Sequence, residues 1–202
     1  MISALRMRAL RSLALVLACA ALLAAAAGCK TNPVTGQQQL NIISDQQALA
    51  LGDREHPNVV SSYNGTMDMP ALNGYLSNIV VRIHQNSHTP GMPVDFHLLN
   101  SSVVNAFALP GHVYATRGFV AKVENEAQFA AVMGHEMAHV SAGHVAQQMS
   151  RQTLSSLGLS VAGLALGDTA AAQGAMQAAQ LGTGLINLSY SRAQERQADR
   201  AG

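Results

Sequence analysis

Apolar positions recur at helical spacing in some stretches of the chain and cluster at strand length in others. Leu72, Leu76, Ile79, Val80 and Ile83 lie three and four residues apart, so residues 70–86 are predicted to form a helix with one buried face. Ser44 followed by Gln47 is a capping-box pair, which predicts a helix from Asp45 to about Glu55. His56-Pro57 then disturbs it, because the residue before a proline avoids helical backbone. Asn125 with Gln128 opens another helix, expected to run to about Ser150, and a last one begins near Arg192. Residues 94–100, 103–109 and 112–116 read as strands, the last two separated by the turn signal Pro110-Gly111. Residues 152–191 hold a single charged residue, Asp168. Their two Ala/Gly/Leu/Ser-rich stretches are expected to pack as a helical hairpin, since neither reaches the roughly 20 apolar residues of a membrane span.

The N-terminal pattern is of a different kind. Arg6, Arg8 and Arg11 precede an apolar run that ends in Ala26-Ala27-Gly28-Cys29. This resembles a bacterial lipoprotein signal, with Ala26 where Leu is usual. The resemblance implies cleavage before Cys29, lipid on the Cys29 sulfur and, with Lys30 next to it, the outer membrane. Residues 1–28 are therefore expected to be a signal peptide and 29–43 a tether and extended segment carrying Pro33 and Gly36. Residues 44–202 form one domain.

Composition supports that division. Apolar residues make up 49% of the 202 and charged residues 11%, against about 25% in ordinary soluble domains, so much of the excess lies in the leader. Removing three arginines and no acids from twelve basic and eleven acidic residues turns a net charge of +1 into −2. Such a chain has no electrostatic footprint for nucleic acid. Cys29 is the one cysteine left after the leader, so no internal disulfide framework is possible.

The chemistry is concentrated in His135-Glu136-Met137-Ala138-His139. On a helix, residues four apart face the same way, so both imidazoles can grip one zinc ion, with Glu136 beside it as general base and then acid. Eight histidines and five glutamates placed at random in 202 residues give this pattern about once in a hundred sequences. The third ligand is less local. In a continuous helix His144 points about 180° away from His135, so it reads as a structural histidine. Glu195 and Asp199, four apart on the last helix, share a face: either can reach the metal while the other supports a ligand histidine.

These motifs together carry a family resemblance. His135 to His144 (HEMAHVSAGH) and Ser189 to Asp199 (SYSRAQERQAD) resemble the gluzincin metallopeptidases of the HtpX, BepA and LoiP type, which include the CAAX prenyl proteases. Residues 32–44 (NPVTGQQQLNIIS) and 105–118 (NAFALPGHVYATRG) resemble the periplasmic lipoprotein branch. The resemblance implies one Zn(2+) per chain held by His135, His139 and Glu195, with Asp199 supporting the site. It implies that Asn105, Ala106 and Phe107 line the cleft, where a peptide adds as an extra strand. It implies an α+β fold: a mostly helical zincin domain with a small antiparallel sheet beside the metal helix. Gly202 follows Asp199 by three residues, so against the family pattern the domain is expected to be truncated at its C-terminus.

The implied function is a zinc metalloendopeptidase that hydrolyses unfolded or misassembled outer-membrane proteins. It would sit lipid-anchored on the periplasmic face of the outer membrane, near the assembly machinery, or be soluble in the periplasm. The alternative is a proteolytically latent fold acting as a chaperone-like assembly factor.

Overall fold

The computed structural model describes residues 29–165 and 189–202. The expected signal peptide, residues 1–28, and most of the expected helical hairpin of 152–191 lie outside the described residues. Two short strands, β1 (Cys29–Thr31) and β2 (Gln38–Leu40), form an antiparallel hairpin. They lead to helix α1 (Asp45–Ser62) and helix α2 (Pro70–Gln85). Strands β3 (Asp95–Leu99), β4 (Ala106–Leu109) and β5 (His112–Thr116) follow, then a single turn, α3 (Arg117–Val120). Helices α4 (Glu126–Ser141), α5 (His144–Ala165) and α6 (Arg192–Ala201) complete the described chain. Among the described residues no helix is long and apolar enough to cross a membrane.

The three-stranded sheet has the order β3-β5-β4. The β4–β5 pair is the expected antiparallel hairpin, its turn closed by Pro110 and by Gly111 at φ +85°. β3, however, runs parallel to β5, so the sheet is mixed rather than wholly antiparallel. The α+β class stands. Side-chain alternation divides the sheet's two faces. Leu98, Ala108, Val113 and Ala115 pack with Leu76, Ile79 and Val80 of α2 and with Phe129, Met133 and Met137 of α4. Leu99, Leu109 and Tyr114 face the other way, against Leu51 and Val59 of α1 and Val145 of α5.

Three expectations are corrected. Helix α1 does not end at His56-Pro57 but continues to Ser62 with Pro57 inside it. The missing N–H costs one helical bond, yet Val59, fully buried, and the contact of His56 Nδ1 with Tyr114 Oη (2.9 Å) hold the last turns down. The helix from Asn125 does not reach Ser150. It stops at Ser141, and Gly143 takes the left-handed conformation (φ +65°) that lets a new helix start at His144. Residues 29–43, read as a tether and extended segment, begin with a hairpin fastened to the domain. Gln39 Nε2 donates to the Ala142 carbonyl (2.9 Å), and Gln147 Nε2 donates to Gln39 Oε1 (3.0 Å). Gln194 Nε2 in turn donates to Gln147 Oε1 (2.9 Å), so this ladder of amides also fixes α6 against α5.

Candidate metal centre

Helix α4 begins at an Asn125 cap whose side chain accepts from the Gln128 amide, and its apolar face seals the core. That orientation turns His135 and His139 toward α6. α6 has its own start: Ser191 and Gln194 form a reciprocal capping box. Its Gln194 and Ala198 are buried, which leaves Glu195 and Asp199 on the face toward α4.

The two helices bring His135, His139 and Glu195 together. His135 Nε2 and His139 Nε2 are 3.0 Å apart, and Glu195 Oε2 lies 3.4 Å from the first and 3.9 Å from the second. Bonds of about 2.0–2.1 Å to a tetrahedral ion place ligand atoms roughly 3.3–3.4 Å from one another, and the three observed edges bracket that value. Two imidazoles and a carboxylate are also the donor set zinc prefers, so the residues fit such an ion. Asp199 lies on the opposite side of His135, with Oδ1 3.0 Å from Nδ1. It can fix that ring's tautomer, which leaves Nε2 as the free donor.

Burial sets the protonation of the group. His139 is almost fully buried, and burial, then His144 and His135, hold its pKa down to about 3. Its ring is neutral at pH 7, as a ligand must be. Burial first, and then the Glu195 carboxylate, pushes the carboxyl of Glu136 up to about 7. A carboxyl at that value can both accept and return a proton near neutral pH.

The placement of His144 and the contacts of Gln197 and Tyr190 at the centre escaped the sequence reading. Because of the break at Gly143, His144 does not point away. It is buried with Nδ1 2.9 Å from His139 Nδ1, and its Nε2 lies 3.3 Å from Gln197 Oε1. His139 thus has an imidazole where His135 has Asp199. Tyr190 stacks on the His139 ring (centroids 4.0 Å, 29°), and burial, then Glu136 and Glu195, raise the pKa of its phenol. A glycine one residue before His144 was the available signal, since Gly past the last helical position ends helices.

Asn105, Ala106 and Phe107 lie at the start of β4, an edge strand bonded on one side by β5. Asn105 Nδ2 donates to Tyr63 Oη (3.1 Å), and Phe107 stacks on Tyr114 (4.8 Å). α4 packs directly against β4. Cys29 is the first residue of β1.

Comparison with known proteins gives one family: the description "Peptidase family M48" matches residues 70–202. The chain is 28% identical over 183 residues to the beta-barrel assembly-enhancing protease of Escherichia coli (strain K12), covering 85% of this chain and 36% of that protein. It is 28% identical over 126 residues to the mitochondrial metalloendopeptidase OMA1 of Homo sapiens, covering 59% of this chain and 24% of the relative. It is 31% identical over 109 residues to the metalloprotease LoiP of Escherichia coli (strain K12), covering 54% and 43%. The chain therefore spans less than half the length of these relatives.

Proposed function

Because the chain belongs to peptidase family M48, we propose that it is a zinc-dependent metalloendopeptidase acting on extended segments of unfolded proteins. The observation that carries this reading is the convergence of His135 Nε2, His139 Nε2 and Glu195 Oε2, with the raised carboxyl of Glu136 beside them. His135, His139 and Glu195 would hold one zinc ion, Asp199 would orient His135, and His144 would orient His139. When bound, zinc supplies a Lewis acid that polarises the scissile carbonyl and eases deprotonation of water. Glu136 takes the proton from the attacking water and passes it to the departing amine. The edge of β4 receives the substrate backbone, with Asn105, Ala106 and Phe107 alongside it. Main-chain pairing reads backbone more than side chains, which suits unfolded clients of varied sequence.

The setting follows from the leader and from the relatives' names. Cleavage before Cys29 and lipid on its sulfur would anchor residues 29–202 at the periplasmic face of the outer membrane. Its clients would then be outer-membrane proteins that fail to assemble, close to the machinery that inserts them. The test is cleavage of unfolded casein by the protein without its leader. Activity should vanish with a chelator and return with zinc. Glu136→Gln should lower it by about 10²–10⁴-fold while the variant still binds zinc. Cleavage no greater than a chelator-insensitive background, with Glu136→Gln still complementing in cells, would refute the reading and leave the chaperone-like role.

A further inference from the structure

A second set of imidazoles lies on the other face of the sheet. His97 of β3 and His112 of β5 share the face that carries Leu99 and Tyr114, and α1 lays His56 over them. The ring centroids of His56 are 4.3 Å from His97 and 4.6 Å from His112, and those of His97 and His112 are 5.2 Å apart. Among the described residues, this trio and the one at the α4–α6 contact are the groups in which three metal-competent side chains bring ligand atoms within 4.8 Å of one another.

The two groups share more than a count. At the first centre, Asp199 Oδ1 stands 3.0 Å from one nitrogen of His135, whose other nitrogen stands 3.0 Å from His139. At the second, Asp53 Oδ1 stands 3.0 Å from Nε2 of His112, whose Nδ1 stands 3.0 Å from His97 Nε2. The same carboxylate–imidazole–imidazole chain is built twice from unrelated stretches of sequence. A carboxylate on the far nitrogen fixes the tautomer and strengthens the near nitrogen as a donor, as it does behind metal ligands generally. His56 has its own support: its Nδ1 lies 2.9 Å from the Tyr114 hydroxyl oxygen, and the tautomer that donates Nδ1–H to that oxygen leaves Nε2 with its lone pair for an ion.

We propose that His56, His97 and His112 hold a second divalent transition-metal ion, separate from the catalytic one, which ties α1 to the sheet. Three imidazole donors select ions of the zinc, copper and nickel class over calcium or magnesium, which prefer oxygen. The charged groups acting on His56 fit a cation: besides His112 they are the carboxylates of Asp53 and Asp95. His56 and His97 are only partly buried, which leaves the ion a way in. The site also touches the proposed substrate edge through Tyr114, which bonds His56 and stacks on Phe107. An ion here would brace the hairpin that carries β4.

The test is a titration of the metal-stripped protein with Co(II), followed by absorbance and by metal analysis after gel filtration. Two ions per chain are expected. His97→Gln should keep one, with the second bound at least 100-fold more weakly. His139→Ala should also keep one, and the double variant none. His56→Gln, checked for wild-type circular dichroism, serves if His97→Gln fails to fold. A wild-type chain binding one ion, lost in His139→Ala and retained in both His97→Gln and His56→Gln, would overturn the second site. One ion lost in His97→Gln and retained in His139→Ala would instead overturn the catalytic assignment and leave this one standing.

Discussion

Replacing His144 with alanine tests how the candidate metal centre is held. The side chain is 1% exposed and stands between His139 Nδ1 (2.9 Å) and Gln197 Oε1 (3.3 Å). Removing it takes the partner from His139 Nδ1 at a place where bulk water cannot fully replace it. An unsatisfied buried polar group costs about 1–3 kcal/mol. Loss of a group that orients a ligand histidine typically lowers metal affinity by 10–100-fold, or about 1.4–2.7 kcal/mol. Both estimates place His144→Ala near the top of that range. Asp199 gives the contrast: it bears on His135 in the same way, but its side chain is 67% exposed, so solvent can take over its role. Asp199→Ala should therefore weaken zinc binding by less than about tenfold. The assay is competition for zinc against a chromophoric chelator at pH 7.5, with urea unfolding of the metal-free forms as the control for folding. His144→Asn, which keeps an acceptor close to the lost nitrogen, should recover most of the affinity. A folded His144→Ala protein that binds zinc as tightly as wild type would refute the reasoning.

Two further outcomes follow from other parts of the fold. A Cβ on Gly52 would stand 1.9 Å from the Pro110 carbonyl oxygen, so Gly52→Ala must push α1 off the β4–β5 turn. The helical gain of about 1 kcal/mol is outweighed by overpacking, and a net loss of roughly 1–2 kcal/mol in urea unfolding is expected, with the second Co(II) weakened. In metal-free protein, His97 has a folded pKa of about 4 against an unfolded value near 6.5, so the unfolded chain gains the proton first as pH falls. Stability should be intact above about pH 6.5 and decline toward pH 4, by on the order of 2 kcal/mol for this group. His97→Gln should flatten that slope, and an unchanged slope would count against the burial of His97.

What the sequence disclosed depended on how local the signal was. The α2 stripe from Leu72 to Ile83, the Ser44, Asn125 and Ser191 caps and the Pro110-Gly111 turn all act within a few residues, and each marks an element of the fold. His135 and His139 are legible for the same reason. Pro57 misled because a local penalty was outweighed by distant packing of Val59 and His56. Gly143 had the opposite effect: it lies inside the stretch expected to be one helix to about Ser150, yet it redirects the chain and brings His144 back onto His139. The parallel pairing of β3 with β5 and the meeting of His56, His97 and His112 depend on contacts between distant segments, and no window of sequence contains them.

Glu195 reaches the His135–His139 pair only once α6 has docked beside α4. During synthesis the two histidines emerge from the ribosome some sixty positions before their carboxylate partner. A nascent chain can bury most of its core and still lack a complete cage for the ion. Under the proposed activity, newly made molecules would stay harmless to their neighbours until α6 settles beside α4.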